Sequence, residues 1–532
     1  MTRAKRYLIL PIDGIRISDS TTPVAENAKT LLSTLQLTPK KVAATRKLAK
    51  GLDATVRSAS RAIRGVSAAE VSAELGPSIE VIKSLHEDGV KLVAASEEVL
   101  AALRQENPGI RIIEEKFCHP TLAPRVPLPP RPAKPVGVRA AAANTTIVVE
   151  VLRGDTMKPV KGADVYAFRT SKDAFKKSTN ASGKAKFTFA AAVPKLKNLY
   201  VYHEESGVWG YFKANVKVSQ GRVQAILAPL NLATEDTLRF FHKAGALTDG
   251  TGVRVGVIDS GADLNHPDLV SVIEGGANCV PGSTRTANDF GPDGAHGTHV
   301  AGTIAARGTA PTGVRGIAPG AKLRIYRVFE DGNAGSGSSF AVIDAIDRAI
   351  TDNCDIINLS LGFDPGVTDD AISDALLKAR KHGILPVAAA GNDGRLPVGF
   401  PGSDSNCLAV SAIGRKGYFP KTSTDALDVV APFGTDPLNF VAGFSNVGAD
   451  LDAAGSGVAV VSTFPDGYGP MSGTSMASPA VAGMAARLLA ANQAVLAMPR
   501  DAARSDAIRK LVMDACKSLG LGILFEGAGL PK

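Results

Sequence analysis

Apolar and polar positions alternate with three different rhythms along this chain. From about residue 231 to the end, short apolar runs such as Val253–Ile258 and Ile384–Ala390 read as buried strands, and they alternate with small-residue segments such as Ala480–Leu489 that read as helices. That alternation predicts an α/β domain, a mostly parallel sheet flanked by helices, over 231–532. Residues 144–230 behave differently. Thr145–Val151, Ala163–Phe168 and Lys184–Phe189 have strand character, most cleanly in the period-two alternation of the last, and turn-like Pro159–Gly162 and Thr179–Gly183 separate them. Short strands at this spacing predict a small β-sandwich. Residues 1–118 read as an α+β domain: a strand at Arg6–Ile12, one or two helices, a hairpin of Ile79–Leu85 and Val90–Ala95, a capped helix from Ser96 and a closing strand at Gly109–Glu114. Between the first two domains, residues 119–143 hold seven prolines, which makes a stiff, extended linker and a natural place for a maturation cut.

Composition narrows the classes. Hydrophobic content of 45% with 21% charged residues is ordinary for a globular protein, and 532 residues suit about three domains. The net charge of +9 raises nucleic acid as a partner. Basic residues are nonetheless dispersed along the sequence, aromatics are 5%, and no nucleic-acid module is recognisable, so a solvated basic surface with a mild substrate preference is expected. Cys118, Cys279, Cys354, Cys407 and Cys516 are an odd, scattered set, which argues for buried free thiols rather than a disulfide framework or Cys-ligated metal. No apolar run approaches the ~18 residues of a membrane span. Met1–Arg6 is basic, but the apolar stretch after it stops at Asp13, too short for a signal peptide. The expectation is a chain that is cytoplasmic or exported by a route its N-terminus does not display.

The chemistry concentrates in three glycine-marked segments. Gly473–Pro479 places Ser475 just before a helix, beside free backbone N–H groups and the positive end of the helix dipole, a setting that suits a nucleophile whose reaction develops an oxyanion. Asp259 closes the apolar run Val253–Ile258 and is followed by Ser260-Gly261, and His296 opens His296-Gly297-Thr298-His299. Each segment alone has an ordinary reading as a cap or turn. The order Asp259, His296, Ser475 is that of the subtilisin triad, in which serine attacks, imidazole moves the proton and carboxylate orients the imidazole. The region from 231 to the end, including the closing Glu526–Leu530, resembles the subtilases, the subtilisin-like serine proteases.

The resemblance implies a serine endopeptidase made as a zymogen. It assigns Asn392, at the end of Ala389-Ala390-Gly391-Asn392, as oxyanion donor, and Ser360, Leu361, Gly362, Ala390, Gly391 and Gly399 as walls of the primary substrate pocket, with peptide added along the edge at Asp355–Gly362. Asp393 lies near that pocket and would favour a basic or polar side chain there. Residues 1–118 resemble the subtilase propeptide, an intramolecular inhibitor and folding template whose end blocks the cleft, and 144–230 resemble transthyretin-like accessory domains, a spacer or binding module. Arg415–Gly443 departs from the family as an insertion, expected to be a surface loop near the cleft or an oligomer contact. No organic cofactor is implied. Calcium is left open: His266-Pro267-Asp268-Leu269 matches a motif with a calcium-ligating aspartate, but the partner loop Ala306–Gly316 has two arginines and no Asn or Asp, so that site is expected to be absent or altered. Two rivals stand against the protease: a non-catalytic binding or regulatory protein on the same scaffold, and a zinc hydrolase using His296 and His299, which lacks the glutamate and four-residue spacing of the zinc-protease motif.

Overall fold

A computed structural model describes residues 5–10, 79–85, 89–106, 110–122, 145–171, 173–189, 192–203 and 207–532. The helices expected between 13 and 78, most of the hairpin turn at 86–88 and the linker beyond Leu122 lie outside the described residues. The chain forms two compact units: Met1–Phe117 with Val280–Thr284 and Ser338–Asp344, and Cys118–Cys279 with Arg285–Gly337 and Ala345–Lys532.

In the first unit, strands Glu80–Ser84, Lys91–Ala94, Arg6–Leu10 and Arg111–Glu114 form an antiparallel sheet in that spatial order. Tyr7, Ile9, Val81 and Val93 pack with Leu100 and Leu103 of helix Glu97–Glu106, and the Tyr7 hydroxyl donates to Glu97 Oε1 at 2.6 Å. Tyr7 and Ile9 alternate onto the face that meets the helix, where Leu100 and Leu103 stand three residues apart, while Leu8, Leu10 and Leu92, on the other face, are buried as well.

The second unit opens with the sandwich. One sheet runs Tyr211–Lys217, Lys195–Tyr202, Asp164–Phe168, Ala174–Ser178, and the other runs Arg222–Leu227, Thr145–Arg153, Lys184–Phe189. The first and last strands of the module, Thr145–Arg153 and Arg222–Leu227, are parallel neighbours. At one pole the module is fixed to the larger domain: Gly207 N donates to the Tyr468 carbonyl at 2.8 Å and Phe212 N to the Thr422 carbonyl at 2.8 Å. Trp209, the chain's single tryptophan, joins the larger domain's core beside Leu238.

The larger domain has the α/β subtilisin-like fold. Its sheet follows Ile273–Asn278, Lys322–Arg327, Arg254–Asp259, Ile356–Leu359, Leu385–Ala389 and Leu408–Arg415, all parallel, with Ala453–Ser456 also parallel to the last. Helices His296–Ala305 and Thr474–Ala491 are buried along nearly their whole lengths, which their small residues permit. At Gly302 a Cβ would run into the side chains of Ser462 and Thr463, so only glycine lets this helix lie so close to strand Val460–Phe464.

The stretch Arg415–Gly443 corrects the expectation of a surface loop. After a short 3-10 turn, Thr424–Asp428, strands Val429–Phe433 and Asn439–Ala442 extend the main sheet antiparallel at its edge. Its outer strand is half exposed and carries Pro432, as edge strands do. Burial and the neighbouring Asp425 push the Asp428 carboxyl up from 3.8 to about 8. A carboxyl whose folded value is raised contributes stability that is complete below about pH 4 and is lost as pH rises through about 8. Asp428→Asn should therefore flatten the decline in stability across that window, read by urea unfolding at intervals between the two limits.

Candidate active site

Strand Arg254–Asp259 lies between two parallel neighbours, so Asp259 emerges at the carboxyl edge of the sheet, where α/β folds gather their chemistry. Its carboxylate is fully buried. Oδ1 accepts from the Ser260 backbone N–H at 2.7 Å and faces His296 Nδ1 at 2.7 Å. A proton on Nδ1 leaves Nε2 as a bare acceptor, and Nε2 has no hydrogen-bond partner. Around this pair the backbone is pinned. Ser260 Oγ accepts from Gly297 N at 3.0 Å, at the head of the His296 helix, and Asp293 N donates to the Ser260 carbonyl at 2.9 Å. Asp293 is in turn held by the buried Arg327 guanidinium at 3.2 Å.

His299, three residues on, does something else. Its ring is fully buried, Nε2 meets the Val460 carbonyl at 2.9 Å, and burial lowers its pKa to about 3. It is a neutral packing residue. Among the described residues no three His, Cys, Asp or Glu side chains converge on a metal-sized site, so the zinc reading loses its ligands.

Ser475 is the second residue of helix Thr474–Ala491, which starts six residues before the Ala-rich run begins. Pro479, four residues after Ser475, has no N–H to give the Ser475 carbonyl. Ser360 Oγ takes that place, donating to the Ser475 carbonyl at 2.9 Å. The Ser360 side chain is thus buried against the helix, and the Ser360 carbonyl faces the cleft.

A piece of the chain's own N-terminal region occupies that cleft. Cys118 to Leu122 belong to the second unit, so the first residues of the expected linker, His119–Leu122, are docked chain. Strand Phe117–Pro120 pairs antiparallel with Leu361–Gly362, Pro120 opposite Leu361 and His119 opposite Gly362. Thr121 N donates to the Ser360 carbonyl at 3.3 Å. The Thr121 carbonyl accepts two hydrogen bonds, from Ser475 N at 3.2 Å and from Asn392 Nδ2. Thr474 fixes the Asn392 amide, since its N–H and hydroxyl both reach Asn392 Oδ1 at 3.0 Å. Ser475 Oγ is turned toward the Ser360 carbonyl at 3.0 Å and the Thr121 hydroxyl at 2.6 Å, away from His296.

The other expected pocket residues surround this segment. Thr121 Cγ2 lies 2.9 Å from where a Cβ on Gly362 would stand, so glycine there makes the room. Leu361 contributes backbone pairing, Gly391 N donates to Thr474 Oγ1 at 3.2 Å, and Gly399 N donates to the Ala390 carbonyl at 2.8 Å. Asp393 is tied to Asn446, whose Nδ2 donates to its carboxylate at 2.8 Å, rather than offered to a substrate. Thr121 and Thr474 are functional neighbours that the sequence reading missed. Thr474 sits next to Ser475, but nothing in the sequence marks its hydrogen bonds.

The comparisons with known proteins agree with this geometry. The family described as Subtilase family matches residues 250–529. The chain is 41% identical over 245 residues to Subtilisin NAT of Bacillus subtilis subsp. natto, covering 45% of this chain and 56% of that protein. Over 245 residues it is 40% identical to Subtilisin of Bacillus pumilus, 45% of this chain and 78% of that one.

This chain belongs to the subtilase family.

It spans 56% of the length of Subtilisin NAT and of Subtilisin E of Bacillus subtilis. Subtilases often bind calcium, and the surroundings of Asp268 in this subtilase can be tested for the fit. The Asp268 carboxylate already accepts from Val314 N at 2.8 Å and from the Tyr468 hydroxyl. In the facing loop, Arg315 donates to the Gly308 carbonyl at 2.7 Å, to Thr309 Oγ1 at 2.7 Å and to the Gly245 carbonyl at 3.3 Å. Arg307 takes the carbonyls of Pro319 at 2.6 Å and Leu247 at 3.1 Å. Calcium needs six to eight oxygens. Here one carboxylate stands beside a loop that carries two guanidinium groups, one of which already takes the Gly308 carbonyl and the Thr309 hydroxyl, and the residues do not fit the ion. Arg315→Met should lower the thermal midpoint by several degrees, through about 1–3 kcal/mol of lost charge-assisted hydrogen bonding. Scanning calorimetry measures it.

Proposed function

We propose that this subtilase is a serine endopeptidase that cuts peptide bonds through an acyl-enzyme. The observation that carries the reading is the Thr121 carbonyl, held by two convergent donors beside the Ser475 hydroxyl. On this reading Ser475 Oγ swings from the Ser360 carbonyl to His296 Nε2 and attacks the carbonyl carbon while its proton passes to Nε2. Asp259 stabilises the imidazolium through Nδ1. Charge building on the carbonyl oxygen strengthens its bonds to Asn392 Nδ2 and Ser475 N. His296 then protonates the leaving amine, and water repeats the cycle to release the acid. Substrate lies along Ser360–Gly362 as an added strand, and the room beside Gly362 favours a small side chain at the cut.

Ser475→Ala should abolish both labelling by a fluorophosphonate and hydrolysis of a generic peptide. Labelling that survived would favour the non-catalytic alternative. Asn392→Leu should lower kcat by about 10²–10³-fold, a magnitude known from subtilisin, with KM little changed.

The first substrate, on the same reading, is the chain itself. Cutting Thr121–Leu122 would release residues 1–121 as inhibitor and leave Leu122 as the mature N-terminus. The Thr121 hydroxyl, by holding Ser475 Oγ, delays that cut. N-terminal sequencing should find Leu122 in the active protein and not in the Ser475→Ala protein. Thr121→Val, which keeps the shape and removes the hydroxyl, should mature faster.

Calcium has no structural role at Asp268 in this proposal, because Arg315 and Arg307 hold the loop. Adding EDTA should leave the thermal midpoint unchanged. A drop reversed by added calcium would count against it.

A further inference from the structure

The basic residues are dispersed along the sequence but are not shared evenly among the domains. Residues 144–230 hold fourteen Lys and Arg against six Asp and Glu, a net +8 in 87 residues. Residues 231–532 hold 24 against 31, a net −7. A cationic module is thus fused to an acidic catalytic domain, which replaces the expectation of a uniformly basic surface.

Ion pairing within the sandwich accounts for only part of this charge. Its four described acids each meet a cation: Glu150 with Lys184, Asp155 with Arg153, Asp164 with Lys176 and Asp173 with Arg169. Nine other cations are exposed and make no ion pair among the described residues: Lys158, Lys161, Lys177 and Lys213, and Lys186, Lys195, Lys197, Lys217 and Arg222. The strand register puts the last five at one pole, Lys195, Lys197 and Lys217 on the outer face of one sheet and Lys186 and Arg222 on that of the other. Lys195 stands directly opposite Lys217, and Lys197 is two residues further along the same strand. Arg222 follows Lys217 through a short turn, and Arg222 and Lys186 share a row across Val148. This pole is the one away from the catalytic domain, whose contacts lie at Gly207, Trp209 and Phe212.

Like charges placed directly opposite on a sheet are unfavourable for folding. Five such cations around one pole, three on one outer face and two on the other, match the demand of an external polyanion long enough to reach both. The surroundings select the kind. The sandwich's exposed large apolar residues, Met157 and Ile226, sit toward the other pole, so among the described residues the basic pole has no exposed large apolar side chain to enter a lipid surface. Among the described residues its strands carry no fully exposed aromatic ring there for bases to stack on, and half-buried Phe175 lies under the Arg169 guanidinium. We propose that the distal pole of the β-sandwich docks the enzyme on an acidic polysaccharide, a linear polymer bearing carboxylate groups, while the catalytic domain remains free to work.

The test uses the full chain carrying Ser475→Ala, so that it stays uncut, and reads binding rather than hydrolysis. It therefore stands or fails apart from the peptidase reading. Immobilised polygalacturonate should retain the protein at low salt and release it by about 0.5 M salt, where screening is within a few ångströms. Neutral dextran should not retain it. Reversing Lys186, Lys195, Lys197, Lys217 and Arg222 to Glu should weaken binding at least about tenfold. Lys158→Glu/Lys161→Glu/Lys177→Glu, at the opposite pole, should change it less than about twofold. Thermal midpoints of both variants check that they fold. No retention at low salt, an equal loss in the two variants, or tighter binding to a DNA oligonucleotide or to phosphatidylserine vesicles would each overturn the proposal.

Discussion

A carboxylate withdrawn wholly from water has to be compensated by donors close at hand, and Asp259 is such a group. It has two, the Ser260 N–H and His296 Nδ1, both on Oδ1 and each at 2.7 Å. That requirement organises the neighbourhood. The strand before Asp259 must be central in the sheet, the loop after it must turn its N–H back, and the His296 helix must begin close enough for the ring to reach. Arg327, buried in the next strand, anchors the Asp293 loop that leads into the helix, so part of the domain's internal charge serves to hold one imidazole in place.

A second buried ionic cluster does the same for the edge that pairs with His119–Pro120. Asp355 precedes strand Ile356–Leu359 and accepts from Arg500 and Arg504 at 2.7 Å and from the Arg254 N–H at 2.8 Å. Removing one partner from a buried pair leaves the other uncompensated, which is costly. The ends of two central strands are thereby tied to a C-terminal helix, Ala502–Ala515, and the edge at Ser360–Gly362 follows directly from this anchored strand.

Local signals carried much of this into the sequence. Asp259 was legible because a continuous apolar run ends in Asp-Ser-Gly, and Ser475 because glycine and small residues crowd a helix start. Other features depend on distance or on a missing group. Thr121 and Ser475 are 354 residues apart, and no periodicity joins them. The use made of the Ser360 hydroxyl was not legible, because the carbonyl that claims it, left unpaired by Pro479, is 115 residues away. The strands Val429–Phe433 and Asn439–Ala442 passed for a loop because the outer one is half exposed and holds a proline, weakening the apolar pattern that marks a buried strand.

The sandwich's first and last strands run parallel over six register positions, from Val148 beside Arg222 to Arg153 beside Leu227. Chain therefore enters at one pole and leaves at the other, about 20 Å away at the rise of a strand. A hairpin-closed module could be deleted and its ends rejoined. This one is a strut in series: removing it would oblige the linker to span the gap, and any load applied to the linker passes lengthwise through the sandwich before it reaches the larger domain.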